Sequence, residues 1–135
     1  MGEKPKILAV DDEPGILRFV SASLSLHGYQ VITASGGEEG LKLVKSEKPD
    51  IVLLDILMVP MTGFEVLEHL REFSQVPVIV FTARSFIGDQ AMKLGANGFI
   101  AKPFRPDELA KKIKETLDLK REQERPPKPV EKPRK

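Results

Sequence analysis

Four short stretches of the chain carry residues that could do chemistry together: Asp11-Asp12-Glu13, Asp55, Thr82-Ala83 and Lys102-Pro103. Carboxylates brought close to one another repel, so gathering them is costly unless a cation neutralises them. Oxygen donors of this kind, with waters completing an octahedron, suit Mg²⁺. A lysine opposite them would pair with a carboxylate at rest, or with an added phosphoryl oxygen later. A carboxylate flanked by a metal ion, an ammonium and a hydroxyl has what phosphoryl transfer onto that carboxylate requires. The two cations stabilise charge on the equatorial oxygens, and the carboxylate attacks. Each stretch alone has a plainer reading. An Asp-Asp-Glu run suits a solvated turn or helix start, Lys-Pro is an ordinary loop, and Thr-Ala carries no meaning by itself. Everything depends on whether the intervening elements bring them to one place.

Those elements alternate. Ile7 to Val10 is a continuous apolar run, as expected of a strand buried on both faces. Ile16, Leu17, Val20 and Leu24 then recur at helical spacing, and Gly28 supplies a stop. Gln30 to Ala34 reads as a second strand, and Glu38 to Lys45 as a second helix with Leu41 and Val44 inward. Ile51 to Leu54 is a third strand. Thr62, with Glu65 three residues on, has capping-box spacing for a helix that should bury Val66, Leu67, Leu70 and Phe73. Val78 to Phe81 is a fourth strand, followed by a short helix around Asp89 to Leu94 that Gly88 weakens by up to about 1 kcal/mol. Gly98 to Ala101 is a fifth strand. Asp107 to Leu119 is a last helix with Leu109, Ile113 and Leu117 one turn apart. Five strand–helix repeats imply an α/β fold: a doubly wound parallel sheet with helices on both faces and right-handed crossovers. Chemistry in such folds gathers at the carboxyl ends of the strands, which is where all four stretches fall.

Composition narrows the remaining classes. The chain has 135 residues, 41% hydrophobic and 30% charged, in keeping with one globular domain. It has no cysteine, so disulfides, thiolate metal sites and cysteine nucleophiles are excluded. Its histidines, His27 and His69, read as surface residues on helices, and neither looks like a phosphohistidine. No apolar run is long enough to span a membrane, and the opening residues lack a signal-peptide core, so a cytoplasmic location is expected. The net charge of +1 hides a split. Residues 120–135 hold seven basic and three acidic side chains, a balance of +4, which leaves residues 1–119 at −3.

Taken together, Asp11-Asp12-Glu13, Asp55 followed by Met58, Met61 and Gly63, Thr82-Ala83, and Gly95-Ala96 leading to Lys102-Pro103-Phe104 resemble the receiver domains of two-component response regulators. The resemblance covers roughly residues 5–119 and implies a flavodoxin-like sheet with strand order 2-1-3-4-5. By position it implies that Asp55 is the phosphoacceptor. Asp12 and Asp55 would bind Mg²⁺ directly, Asp11 mostly through water, and the backbone carbonyl of Leu57 would be the third protein ligand. Lys102 would contact the phosphoryl group, and Thr82 would be the switch hydroxyl. Phe99 matches the family's aromatic switch, although plain core filling suits it equally and it lacks the hydroxyl of the frequent tyrosine. The peptide before Pro103 is expected to be cis. Leu57 and Arg84 occupy positions that border the acceptor. The implied function is a phosphorylation-dependent signalling switch supplied by a histidine kinase or phosphotransfer protein, not a conventional turnover enzyme.

Two features depart from the family pattern. Pro60 falls one residue late, with Val59 in the usual place, so the loop after Asp55 should follow a different path. The stretch from Thr82 to Gly95 spans 13 positions, about two fewer than usual, which puts the family's usual output face in doubt. Beyond Leu119, Pro126, Pro127, Pro129 and Pro133 point to a charged, proline-rich tail or linker over 120–135, separate from a domain at 1–119. Direct nucleic-acid binding by this tail is not expected, and the output partner is not legible. Two other readings stay open. One is a receiver-fold interaction module that is never phosphorylated. The other is a haloacid-dehalogenase-like phosphatase using Asp55, which would want a second aspartate where Leu57 stands.

Overall fold

Five strands, each followed by a helix, settle into one sheet. The computed structural model describes residues 4–83 and 85–124; Arg84 and the proline-rich segment from 125 onward lie outside the described residues. In chain order the elements are β1 (Lys6–Val10), α1 (Pro14–Leu26), β2 (Gln30–Ala34), α2 (Gly37–Glu47), β3 (Ile51–Asp55), α3 (Gly63–Arg71), β4 (Val78–Thr82), α4 (Ser85–Lys93), β5 (Gly98–Ala101) and α5 (Pro106–Glu124). All strand pairs are parallel, in the order β2-β1-β3-β4-β5. This is the doubly wound α/β architecture and strand order expected.

Side chains alternate across the sheet with the two-residue period of a strand. Leu8, Val10, Val52, Leu54, Val78 and Val80 face one way and pack with Val44 of α2, Val66, Leu67 and Leu70 of α3, and Ala91 of α4. Ile7, Ala9, Ile51, Leu53, Ile79, Phe81 and Ile100 face the other way, against Val20 and Leu24 of α1 and Leu109, Ile113 and Leu117 of α5. With both faces covered, the central strands are apolar over Ile7–Val10, Ile51–Leu54 and Val78–Phe81, which is why these runs show no alternation.

Local chemistry fixes the helix starts. Pro14 stands at the first turn of α1, where its missing N–H costs nothing. At α3 the capping box forms: the Thr62 hydroxyl accepts from the Glu65 N–H at 3.3 Å, and the Glu65 carboxylate accepts from the Thr62 N–H at 3.2 Å. The peptide bonds before Pro60 and Pro103 are both cis.

Three elements depart from expectation. Phe73 was expected inside α3, but the helix ends at Arg71 and the ring is 43% exposed, with the Lys45 ammonium 4.7 Å from its centre. α5 runs five residues past Leu119, supported by ion pairs one turn apart, Lys114–Asp118 at 3.3 Å and Lys120–Glu124 at 3.7 Å. α4 begins at Ser85, so only two residues separate it from β4.

Arg71, the last residue of α3, ties the lower ends of several elements together. Its guanidinium donates to the carbonyls of Ser74 (3.1 Å) and Val76 (2.7 Å), twice to that of Gly95 (3.1 and 2.8 Å), and to Oδ1 of Asn97 (3.0 Å). Asn97 Oδ1 also accepts from the Val78 N–H at 2.9 Å, which brings the start of β4 into the same network.

Candidate functional site

β1, β3, β4 and β5 end side by side, and each delivers its chemistry-bearing residue to the same edge. Asp11 follows β1 directly, held by its N–H bond to the Ala34 carbonyl at 3.1 Å. Asp55 is the last residue of β3 and Thr82 the last of β4. Lys102 follows β5, anchored by its N–H bond to the Thr82 carbonyl at 2.9 Å.

Asp11 is fully buried and Asp55 is 3% exposed, while Asp12 is partly open to solvent. The three offer carboxylate oxygens within 4.8 Å of one another, the one such cluster among the described residues. Glu13, the fourth acid of the sequence reading, does not join them. It stands exposed at the N-cap position of α1, without a side-chain capping hydrogen bond. The Lys102 ammonium lies 3.3 Å from Asp11 Oδ2 and 3.3 Å from Asp55 Oδ1, bridging the two buried carboxylates. The other Asp11 oxygen accepts from the Glu13 N–H at 2.9 Å.

One ammonium cannot balance this much negative charge. Burial, then the Asp11 carboxylate, push the Asp55 pKa up from 3.8 to about 6, against the opposing pull of Lys102 and of a hydrogen bond from the Leu57 backbone. Burial also works against the charge on Lys102, but Asp55 and Asp11 outweigh it and hold the ammonium above its ordinary value. A site where burial and a like charge resist ionisation of a carboxylate, with hard oxygen donors and no nitrogen or sulfur ligand among the clustered residues, fits a hard divalent cation such as Mg²⁺.

Thr82 is buried at the end of β4, next in sequence to Phe81, the register partner of Asp55, and Phe99 of β5 is in register with Val80, one strand over. Leu57, 61% exposed, and Val59 form an apolar lip outside the acceptor. A shallow recess lined by Ile16, Phe19, Pro103 and Phe104 opens on the other side of Lys102. No carboxylate stands at position 57, so the two-aspartate pattern of the phosphatase reading is missing.

Two glycines named in the sequence have steric roles here that sequence reasoning did not assign. A Cβ at Gly63 would collide with the Asp55 carbonyl oxygen and the Ile56 Cα, so the bare residue lets α3 begin directly against the end of β3. At Gly88 in α4, a Cβ would lie 2.5 Å from both Cγ and Cδ2 of Phe99. The first was visible as a spacing, Asp55 to Gly63; the second had no signal in the sequence.

Comparison with known proteins agrees with this geometry. A family model described as the response regulator receiver domain matches residues 7–114. A probable transcriptional regulator, ycf27, of Porphyridium aerugineum is 44% identical over 117 residues, covering 85% of this chain and 49% of that protein. The alkaline phosphatase synthesis transcriptional regulatory protein PhoP of Bacillus subtilis is 40% identical, over 83% of this chain and 48% of its own length. The chain thus spans about half the length of these relatives. Among solved structures, the chemotaxis protein CheY4 of Vibrio cholerae superposes with a TM-score of 0.79 at 34% identity, covering 84% of this chain and 98% of that one. A CheY-like receiver domain protein of Methanospirillum hungatei gives 0.82 at 32% identity, covering 89% of this chain and 98% of that one.

Proposed function

This chain belongs to the response regulator receiver domain family of two-component signalling, and we propose that within it Asp55 accepts a phosphoryl group from a histidine kinase or phosphotransfer partner. The observation that carries the reading is the Lys102 ammonium, 3.3 Å from Asp55, at a strand edge where Asp11 and Asp12 add two more carboxylates.

Asp11, Asp12 and Asp55, with the Leu57 carbonyl, would hold Mg²⁺. When bound, the ion would supply positive charge to the oxygens of the group in transfer and would favour the ionised form of Asp55. In the transfer, an Asp55 carboxylate oxygen forms the new bond to phosphorus. The bond from phosphorus to the donor's imidazole nitrogen breaks, and its electron pair stays with that nitrogen. Lys102 is placed to follow the charge: it pairs with Asp55 beforehand and with a phosphoryl oxygen afterwards. Thr82, buried at the end of the neighbouring strand, would turn its hydroxyl toward a second phosphoryl oxygen, and Phe99 would follow the space it vacates. The apolar lip at Leu57 and Val59 and the recess at Phe19 and Phe104 flank the acceptor, where they can seat the donor protein.

The product is a changed surface rather than a released metabolite, and the same site would return it to rest by hydrolysis. Since the curated relatives are transcriptional regulators about twice as long, an output domain that binds DNA is a reasonable continuation of the switch, with the residues that follow α5 as its linker. The test is direct. Acetyl phosphate with Mg²⁺ should add one phosphate to the wild-type chain, read by mass, and none to Asp55→Asn. Equal labelling of the variant would reject Asp55 as the acceptor.

A further inference from the structure

The Lys102 ammonium is held by more than its two carboxylates. The N–H bond to the Thr82 carbonyl at 2.9 Å fixes the main chain, but a flexible four-carbon stem separates that anchor from the charge. Both ion pairs measure 3.3 Å, longer than the ~2.7–2.9 Å of a tight charge-assisted bond, so Asp11 and Asp55 share the ammonium without fixing it. A third group lies beneath. The centre of the Phe81 ring is 5.9 Å from Nζ, within the reach at which an aromatic face attracts a cation. Phe81 is the one aromatic ring among the buried apolar side chains of the described residues, and it is the register partner of Asp55 on the neighbouring strand.

A ring does there what an aliphatic side chain would not. Its face attracts the ammonium without prescribing which oxygen the charge must meet, so Lys102 can pass from Asp55 to a phosphoryl oxygen and keep that support. The tilt of the ring is set from outside. Phe104 stacks on Phe81 with centroids 5.2 Å apart and planes 25° from parallel, and Phe19 of α1 leans on Phe104 at 6.0 Å and 51°. Both separations lie in the range where aromatic pairs attract. Phe19 is 40% exposed, and with Phe104 it lines the recess of about 370 Å³ whose wall includes Lys102. Three rings thus run from the surface to the charge.

We propose that Phe81 and Phe104 are positioning residues for phosphoryl transfer: Phe81 carries the Lys102 ammonium between Asp55 and the incoming phosphoryl oxygen, and Phe104, backed by Phe19, sets the plane of Phe81. The proposal rests on the reading of Asp55 as acceptor and of Lys102 as its partner. It goes further in assigning what aims the lysine.

Labelling of the full chain by acetyl phosphate with Mg²⁺ separates this role from plain packing. Phe104→Leu keeps apolar bulk and loses the ring. Its rate at saturating acetyl phosphate should fall about tenfold, within what a small displacement of a reacting group can cost. Its Mg²⁺ affinity, which depends on the carboxylates, should stay within about twofold. Phe104→Tyr keeps the ring and should label within about twofold of the wild type. A wild-type rate in Phe104→Leu overturns the proposal, and so does an equal loss in Phe104→Tyr. An Mg²⁺ affinity that falls in step with the rate overturns it too, because the carboxylates themselves would then be disturbed. A second measurement needs no phosphodonor. In urea unfolding with a chelator, the costs of Phe104→Leu and Lys102→Met should not add in the double variant, and strictly additive costs overturn the link between rings and ammonium. Should Phe104→Leu fail to fold, Phe19→Leu at the exposed end should slow the same saturated labelling about threefold, and an unchanged rate overturns the stack. If the wild type is labelled on Asp55 and Phe104→Leu keeps pace with it, the positioning role falls and the acceptor reading stands. If Asp55→Asn is still labelled, the acceptor reading falls and takes the positioning role with it.

Discussion

Asp55 is the residue on which folding and chemistry make opposite demands. Its pKa of about 6 lies above the ordinary 3.8, so folding favours the protonated carboxyl. A group shifted this way contributes its stability in full below about pH 4, and loses it as pH rises through about 6. The metal-free protein should therefore gain stability as pH falls from 7.5 to 5, and Asp55→Asn should flatten that gain. At pH 7.5 the same substitution should stabilise the metal-free chain by on the order of 1–2 kcal/mol, discounted for solvent screening at the open rim. Thermal unfolding in a chelator reads both effects, and a destabilised Asp55→Asn would contradict them. Mg²⁺ reverses the preference, because it binds the ionised form; its affinity should drop as pH falls below about 6. Legibility at this scale was high: Asp11, Asp12, Asp55, Thr82 and Lys102 are short polar interruptions at the ends of apolar runs, and the structure brings all five to one strand edge. Phe99 was ambiguous because its meaning depends on what lies against it. Gly88, the residue that lies there, has no side chain to announce a contact.

At the scale of elements, neighbouring residues at the start of α3 do different jobs. Thr62 caps the helix by hydrogen bonds, and Thr62→Ala should cost about 1 kcal/mol, the usual loss for a cap. Gly63→Ala should cost more, since the added carbon meets the backbone of Asp55 and Ile56, which cannot move without shifting the acceptor. Chemical denaturation would rank the two, and labelling with acetyl phosphate should be impaired only in the second. Strands were read from sequence to within a residue at each end, because burial on both faces leaves little but apolar side chains. Helix ends were harder. α5 continues to Glu124 on charge pairs one turn apart, a signal independent of the apolar spacing that fades near Leu119. α4 was placed around Asp89 to Leu94 because Gly88 interrupts its pattern, yet the helix begins at Ser85. Phe73 kept helical phase with Leu70 but falls beyond the last turn of α3, so its ring lies at the surface.

For the whole molecule, the sheet divides one core into two that share no side chain. Leu67→Ala on one face should cost about 2–5 kcal/mol, and Ile113→Val on the other about 0.5–1.5 kcal/mol. Because each cavity opens against a different set of neighbours, the double variant should equal the sum within about 0.5 kcal/mol. Urea unfolding of the four proteins would detect a larger coupling, which would mean that the sheet transmits strain between its faces. Total stability of such a domain is about 5–15 kcal/mol, so Leu67→Ala alone tests a large part of it.

Four of the five hydrogen bonds made by Arg71 end on main-chain carbonyls, at Ser74, Val76 and Gly95. Every amino acid carries that acceptor. What Arg71 needs at positions 74 and 76 is therefore only the main chain, whereas Gly95 is held by its backbone angle and Asn97 by its amide oxygen. The side chains there answer to other contacts: the Ser74 hydroxyl accepts from the Val76 N–H at 3.1 Å, and Val76 is buried in the core. In a saturation library scored for folding, Arg71 should tolerate almost nothing, while the changes tolerated at Ser74 and Val76 should follow that hydroxyl and the core packing. Substitution patterns alone would pair Arg71 with neither.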